Sequence, residues 1–178
     1  DALPIYPAST SYAITLKKNI ITGNSKKIDG IRADSGKLIL SSNTISSCSR
    51  AIILSSKVKG TVYPNTFKKN TYNNVKVNSS YVKTLTVKSL SGKSKSAKTA
   101  TLNWKKLSSA SGYVVYRSTS KNGSYTKIST IGKNKTITYK DSKLKSKSTY
   151  YYKIVPYTTI GKTTVYGVDS KIVSIKIK

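Results

Sequence analysis

The sequence predicts an all-β chain in two unlike parts, and three observations carry that expectation. Threonine, valine, isoleucine and tyrosine dominate, apolar and polar residues alternate with period two, and no window keeps the i, i+3, i+4, i+7 apolar pattern of a helix. A short pattern centred on asparagine occurs three times, at Asn19, Asn43 and Asn65, with spacings of 24 and 22 residues. A period of that size marks stacked repeats. Near residue 80 the short strands between Ser/Asn/Gly turns give way to longer alternating strands with hairpin-like turns. The boundary is expected at about Ser79–Lys83, which gives parts 1–82 and 83–178.

The chain opens on a proline-containing stretch with few charges, residues 1–10, expected to cover part of an exposed edge of the repeats. The three repeats then align on their asparagines. Three residues before each stands Leu16, Leu40 or Val62, and two residues after each stands Ile21, Ile45 or Phe67. Five residues before them come Ile14, Leu38 and, as the exception, Gly60. A further strand follows each turn and carries the inward pairs Ile31/Ala33, Ile52/Leu54 and Val75/Val77. Strands this short cannot bury their own apolar side chains, but stacking successive repeats at strand spacing makes one continuous core.

These residues resemble the parallel β-helix repeat family, whose members include pectin-degrading enzymes and many bacterial surface proteins. The resemblance implies a short right-handed parallel β-helix segment of about three coils. It also implies that Asn19, Asn43 and Asn65 form an asparagine ladder, with stacked side chains bonding neighbouring backbone inside a turn of left-handed character that asparagine tolerates. Three coils are near the minimum for such a stack, and the first lacks a capping element. Upstream coils of a longer parent chain are therefore an expected partner.

The second part begins its pattern at Ala100–Trp104, an alternating strand ending in the only tryptophan. Gly112–Ser118 reads as a strand, Lys121–Ser124 as a turn, and residues 136–157 as strand, corner and strand. This resembles a fibronectin type III domain of the bacterial extracellular kind. The resemblance implies a fibronectin type III-like β-sandwich over 83–178, with Tyr150 as a tyrosine corner bonding backbone near Leu144. Trp104, Tyr113, Val115, Tyr150, Tyr152 and Ile154 would fill the space between its sheets. The family usually has Pro-Gly at this corner; here it reads Lys145-Ser-Lys-Ser148, which implies a less rigid corner.

Charge narrows the partners. The chain carries 33 Lys+Arg against 5 Asp+Glu, a formal net charge of +28, and only Arg32, Arg50 and Arg117 are arginines. Such a balance favours polyanions and opposes folding by self-repulsion. A solvated lysine surface without a specific ligand and a polyanionic partner both fit it. Nucleic acid is disfavoured, because base readout leans on arginine and single-strand binding on exposed aromatics. Most of the 14 tyrosines here fall at strand spacing. The densest basic cluster is Lys133, Lys135, Lys140, Lys143, Lys145 and Lys147, the best sequence candidate for contact with an anionic polymer.

Catalytic machinery is hard to assemble from this composition. There is no histidine, and the acids are Asp1, Asp29, Asp34, Asp141 and Asp169. Only Asp29 and Asp34 lie close together, and the equivalents of Asp34 in the next repeats are Ser55 and Asn78, so no acidic column exists for a metal or for two-carboxylate hydrolysis. Both read as turn residues. Cys48 is alone, sits at a turn in the place of Asn24 and Asn70, and has no histidine to activate it. No cofactor or metal is expected, and no run is long and apolar enough to cross a membrane as a helix.

The reading that follows is a non-catalytic structural and adhesion region of a bacterial secreted or cell-surface protein, its lysines favouring anionic cell-wall or host polysaccharide. The alternative is the C-terminal accessory region of a β-helical polysaccharide lyase or glycoside hydrolase with its active site upstream.

Overall fold

Period-two alternation becomes strand throughout the residues that the computed structural model describes: 13–23, 28–132 and 137–178. No helix occurs among them. The chain divides into two compact units. One reaches Thr84 and takes in Thr158–Tyr166; the other comprises Leu85–Tyr157 and Gly167–Lys178.

In the first unit each repeat supplies one strand to each of three parallel stacks. The first stack joins β1 (Ala13–Lys17), β4 (Lys37–Ser41) and β7 (Lys59–Val62). The second joins β2 (Ile20–Thr22), β5 (Thr44–Ser46) and β8 (Thr66–Lys68), and the third β3 (Ile31–Ala33), β6 (Arg50–Leu54) and β9 (Tyr72–Val77). β10 (Ser80–Val82) closes the third stack by pairing antiparallel with β9. The register matches the asparagine alignment. Leu16 pairs with Leu40 and Leu40 with Val62, Ile21 with Ile45 and Ile45 with Phe67, and Ile31 with Ile52 and Ile52 with Val75. A one-residue slip would turn these side chains outward, so the buried face fixes the pairing. Leu38, Leu40, Ile45, Ile52, Leu54 and Val62 form the centre of the resulting core.

The second unit is a two-sheet sandwich. One sheet orders β11 (Ser91–Lys93), β12 (Ala100–Asn103) and β15 (Thr138–Asp141); the other orders β14 (Thr126–Gly132), β13 (Gly112–Ser118), β16 (Thr149–Ile160) and β18 (Val173–Lys176), all antiparallel. Leu102, Trp104, Tyr113, Val115, Tyr152 and Ile154 lie buried between them. Trp104 meets Tyr113 edge to face, ring centroids 5.3 Å apart, a favoured aromatic geometry. Tyr150 is half-buried at the margin of this core.

Gly60, the exception in the repeat, is explained by a strand from far along the sequence. β17 (Thr163–Tyr166) belongs to the first unit and pairs parallel with β7, Thr164 with Thr61 and Val165 with Val62. A Cβ at Gly60 would lie 2.9 Å from both Cγ2 and Oγ1 of Thr163. The Thr163 hydroxyl, fully buried, donates to Val58 O at 2.9 Å. Glycine here makes room for the strand that covers the edge β7 would otherwise expose.

Candidate functional site

Asn19, Asn43 and Asn65 each immediately precede a strand of the second stack, so the register stacks their side chains. Asn43 Nδ2 donates to Leu16 O and to Asn65 Oδ1, both at 2.9 Å. Its Oδ1 accepts from the backbone N and from Nδ2 of Asn19, both at 3.0 Å. Asn43 N donates in turn to Asn65 Oδ1 at 2.9 Å. Asn43 is fully buried, and these bonds satisfy all four positions of its amide.

The turn geometry differs from the expectation. The left-handed residues are Lys18 (φ 59°) and Ser42 (φ 56°), each one position before its asparagine. In the third repeat that position is Pro64, whose ring excludes such a φ. Asparagine therefore recurs here because its amide both donates and accepts between repeats, and not because it tolerates a left-handed backbone.

A second, parallel device lies at Cys48 and Asn70. Cys48 N donates to Asn70 Oδ1, and Asn70 Nδ2 to Ile45 O, each at 2.9 Å. Asn24, the first member of that series, lies outside the described residues. Cys48 is fully buried, and burial pushes its thiol pKa up, away from nucleophilic chemistry.

The described aspartates are all engaged. Asp29 pairs with Arg50 at 2.9 Å and Arg32 at 3.8 Å, and Arg32 reaches Asp34 at 3.6 Å. In the sandwich, Arg117 Nη1 lies 3.0 and 3.2 Å from the two oxygens of the buried Asp141, and the Tyr152 hydroxyl donates to Asp141 Oδ2 at 2.9 Å. Burial, with the carboxylate beside it, pushes the Tyr152 hydroxyl pKa well above the usual phenol range. Asp169 is taken by Lys153 at 2.6 Å. Asp1 lies outside the described residues. Among those described, no group of acids, cysteines or histidines could hold a metal ion.

Tyr150 Oη accepts from Lys145 N at 3.2 Å, and the Arg117 guanidinium lies 5.5 Å from its ring centroid. Trp104 contributes its ring to the core, while its buried Nε1 has no hydrogen-bond partner among the described residues. Lys140, Lys143, Lys145 and Lys147 are exposed; Lys133 and Lys135 lie outside the described residues. The corner that carries the cluster is pinned by backbone, Lys147 N donating to Ile177 O at 2.9 Å and Leu144 N to Lys98 O at 3.0 Å. It holds Lys143 and Lys147 at φ 60° and 64°.

Four other lysines line one cavity. A cavity of about 210 Å³ in the first unit is lined by Gly36, Lys37, Lys57, Lys59 and Lys162. The repeat period already paired Lys37 with Lys59, 22 residues apart. Lys162 carried no such signal, because β17 lies outside the repeats.

No protein-family model and no curated protein matches the chain. Solved structures similar to part of it include a Fn3-like protein from Clostridium thermocellum, 29% identical, covering 51% of this chain and 88% of that one with a TM-score of 0.44. The sixth fibronectin type III domain of human fibronectin type III domain containing protein 3 is 19% identical, over 54% of this chain and 87% of that one, TM-score 0.44. A β-1,2-glucanase from Parabacteroides distasonis is 19% identical over 55% of this chain and 13% of its own, TM-score 0.45.

Proposed function

We propose that the chain is a non-catalytic presentation and adhesion module of a secreted or cell-surface protein that holds anionic polysaccharide through lysine. In this reading the first unit is a short parallel β-helix and the second a fibronectin type III-like sandwich. Three in-register parallel stacks with an asparagine ladder support the former. The three- and four-stranded sheets, with Tyr150 bonded at the corner, support the latter.

One observation carries the functional reading. Every described aspartate is already paired, three of the four to arginine, and Lys153 is the one lysine among the described residues in an ion pair. The remaining lysine charge has no counter-charge within these residues, so a polyanion meets little internal competition for it. The exposed cluster Lys140, Lys143, Lys145 and Lys147 supplies diffuse attraction.

The test is binding of the whole chain to acidic and neutral polysaccharides of matched length across a salt series. Retention of acidic chains alone at physiological salt, weakening steadily above it, is expected. Equal binding to neutral chains, or no binding at physiological salt, contradicts the reading.

A further inference from the structure

The outward face of the stack β4–β7–β17 carries two rows of side chains, both within the first unit. The first row is basic. Lys37 and Lys59 are directly paired across β4 and β7, and the register of Thr61 with Thr164, carried back two residues, sets Lys162 level with Lys59. Like charges directly opposite one another on a sheet are destabilising. Three in succession, with Lys57 beside them and no ion pair to any of the four among the described residues, are a standing electrostatic cost on a cavity wall.

The second row is aromatic. The pairing of Val62 with Val165, carried on one residue, aligns Tyr63 with Tyr166. Their rings stack with centroids 4.9 Å apart and planes within 7°, and Tyr63 remains 41% exposed. Four residues of strand separate the rows, about 13 Å. Between them lie the short hydroxyl side chains of Thr61 and Thr164, half-buried and level with each other.

From this geometry we infer that the face is a binding site for an acidic glycan lying along the strands. Its negative groups sit on the row Lys37–Lys59–Lys162, and the C–H face of a sugar further along packs on the Tyr63–Tyr166 pair. The inference rests on the polysaccharide reading above and adds the site. A single-stranded nucleic acid suits the face less well. It needs separate ring faces for successive bases, whereas these two rings cover each other, and no arginine lines the cavity.

The experiment is titration of the whole chain with an alginate hexamer, a chondroitin sulfate hexasaccharide, cellohexaose and an oligothymidylate at physiological salt. The same titrations are run on Lys59→Ser/Lys162→Ser, on Tyr63→Ala, and on Lys143→Ser/Lys145→Ser/Lys147→Ser as the control for loss of charge. Thermal melts confirm that each variant is folded. Binding of alginate or chondroitin sulfate, and not cellohexaose, should weaken roughly tenfold in the first double variant, severalfold in Tyr63→Ala, and less than twofold in the control. The choice between the two acidic sugars tells carboxylate from sulfate. If the wild type binds acidic glycans but all variants bind alike, the site is wrong while the broader reading stands. If the wild type binds neither acidic glycan, both fall. Tighter binding of oligothymidylate, weakened by Tyr63→Ala, overturns the glycan in favour of nucleic acid.

Discussion

Asn43 and Asp141 are both buried polar side chains in all-β surroundings, yet the two units satisfy them by opposite means. In the first unit the amide of one repeat is completed by the next, Asn19 on Asn43 and Asn43 on Asn65, so the device extends with the number of repeats. In the sandwich a single charged group is closed by two fixed partners, Arg117 and Tyr152. A neutral ladder carries little desolvation cost and specifies register. A buried charge is costly unless both partners are present, and it specifies one position. Repetition therefore suits amides, and a one-off corner tolerates charge.

Substitutions should separate the two. Asn43→Ala, which removes four hydrogen bonds and strands buried partners, is expected to lower the stability of the first unit by about 3 kcal/mol in urea unfolding. Asn19→Ala, at the exposed end of the same ladder, should cost less than ~1 kcal/mol; equal losses would mean that the ladder is decorative. Asp141→Ala should cost about 2 kcal/mol, below the figure for a wholly buried pair because Arg117 retains one third of its exposure. Gly60→Ala should cost roughly 1–2 kcal/mol by overpacking against Thr163. Combined with Thr163→Ala it should be clearly less than additive, and strict additivity would deny the contact.

Alkali gives a smaller effect of known sign. The Tyr152 pKa is raised in the folded state, so its contribution is complete below the ordinary phenol value of about 10 and is lost as pH rises beyond it. The difference between wild type and Tyr152→Phe should therefore shrink or change sign above that pH; a constant difference would contradict the assignment. Smallest of all, Cys48 should resist thiol reagents until the first unit opens, and labelling at the rate of an exposed thiol would contradict its burial.

Legibility followed locality. The inward pairs from Leu16 to Val77 could be read because each repeat restates the same pattern, and stacking turns sequence period into spatial register. Lys37 opposite Lys59 was legible for the same reason. The role of Gly60 was not, because its neighbour Thr163 lies 103 residues away, beyond any period. Nor was the Arg117–Asp141–Tyr152 cluster, three ordinary strand residues that meet only when two sheets close. The side-chain bonding of the ladder was implied by the resemblance, but its left-handed residue was misplaced: an asparagine at a turn suggests backbone tolerance, whereas the positive φ falls one position earlier, on Lys18 and Ser42.

The same contrast separates the proposed site from the exposed lysine cluster. The sandwich offers exposed lysines at one corner, whereas the first unit offers lysines and tyrosines in register on one face. The most direct measurement is a backbone amide chemical-shift map of the whole chain titrated with an alginate hexamer at physiological salt. The account predicts saturable shifts at Lys59–Tyr63 and Thr163–Tyr166, with shifts at Lys140–Lys147 that are weaker and fade as salt rises. Saturable shifts confined to Lys140–Lys147, with the first unit silent, would contradict it.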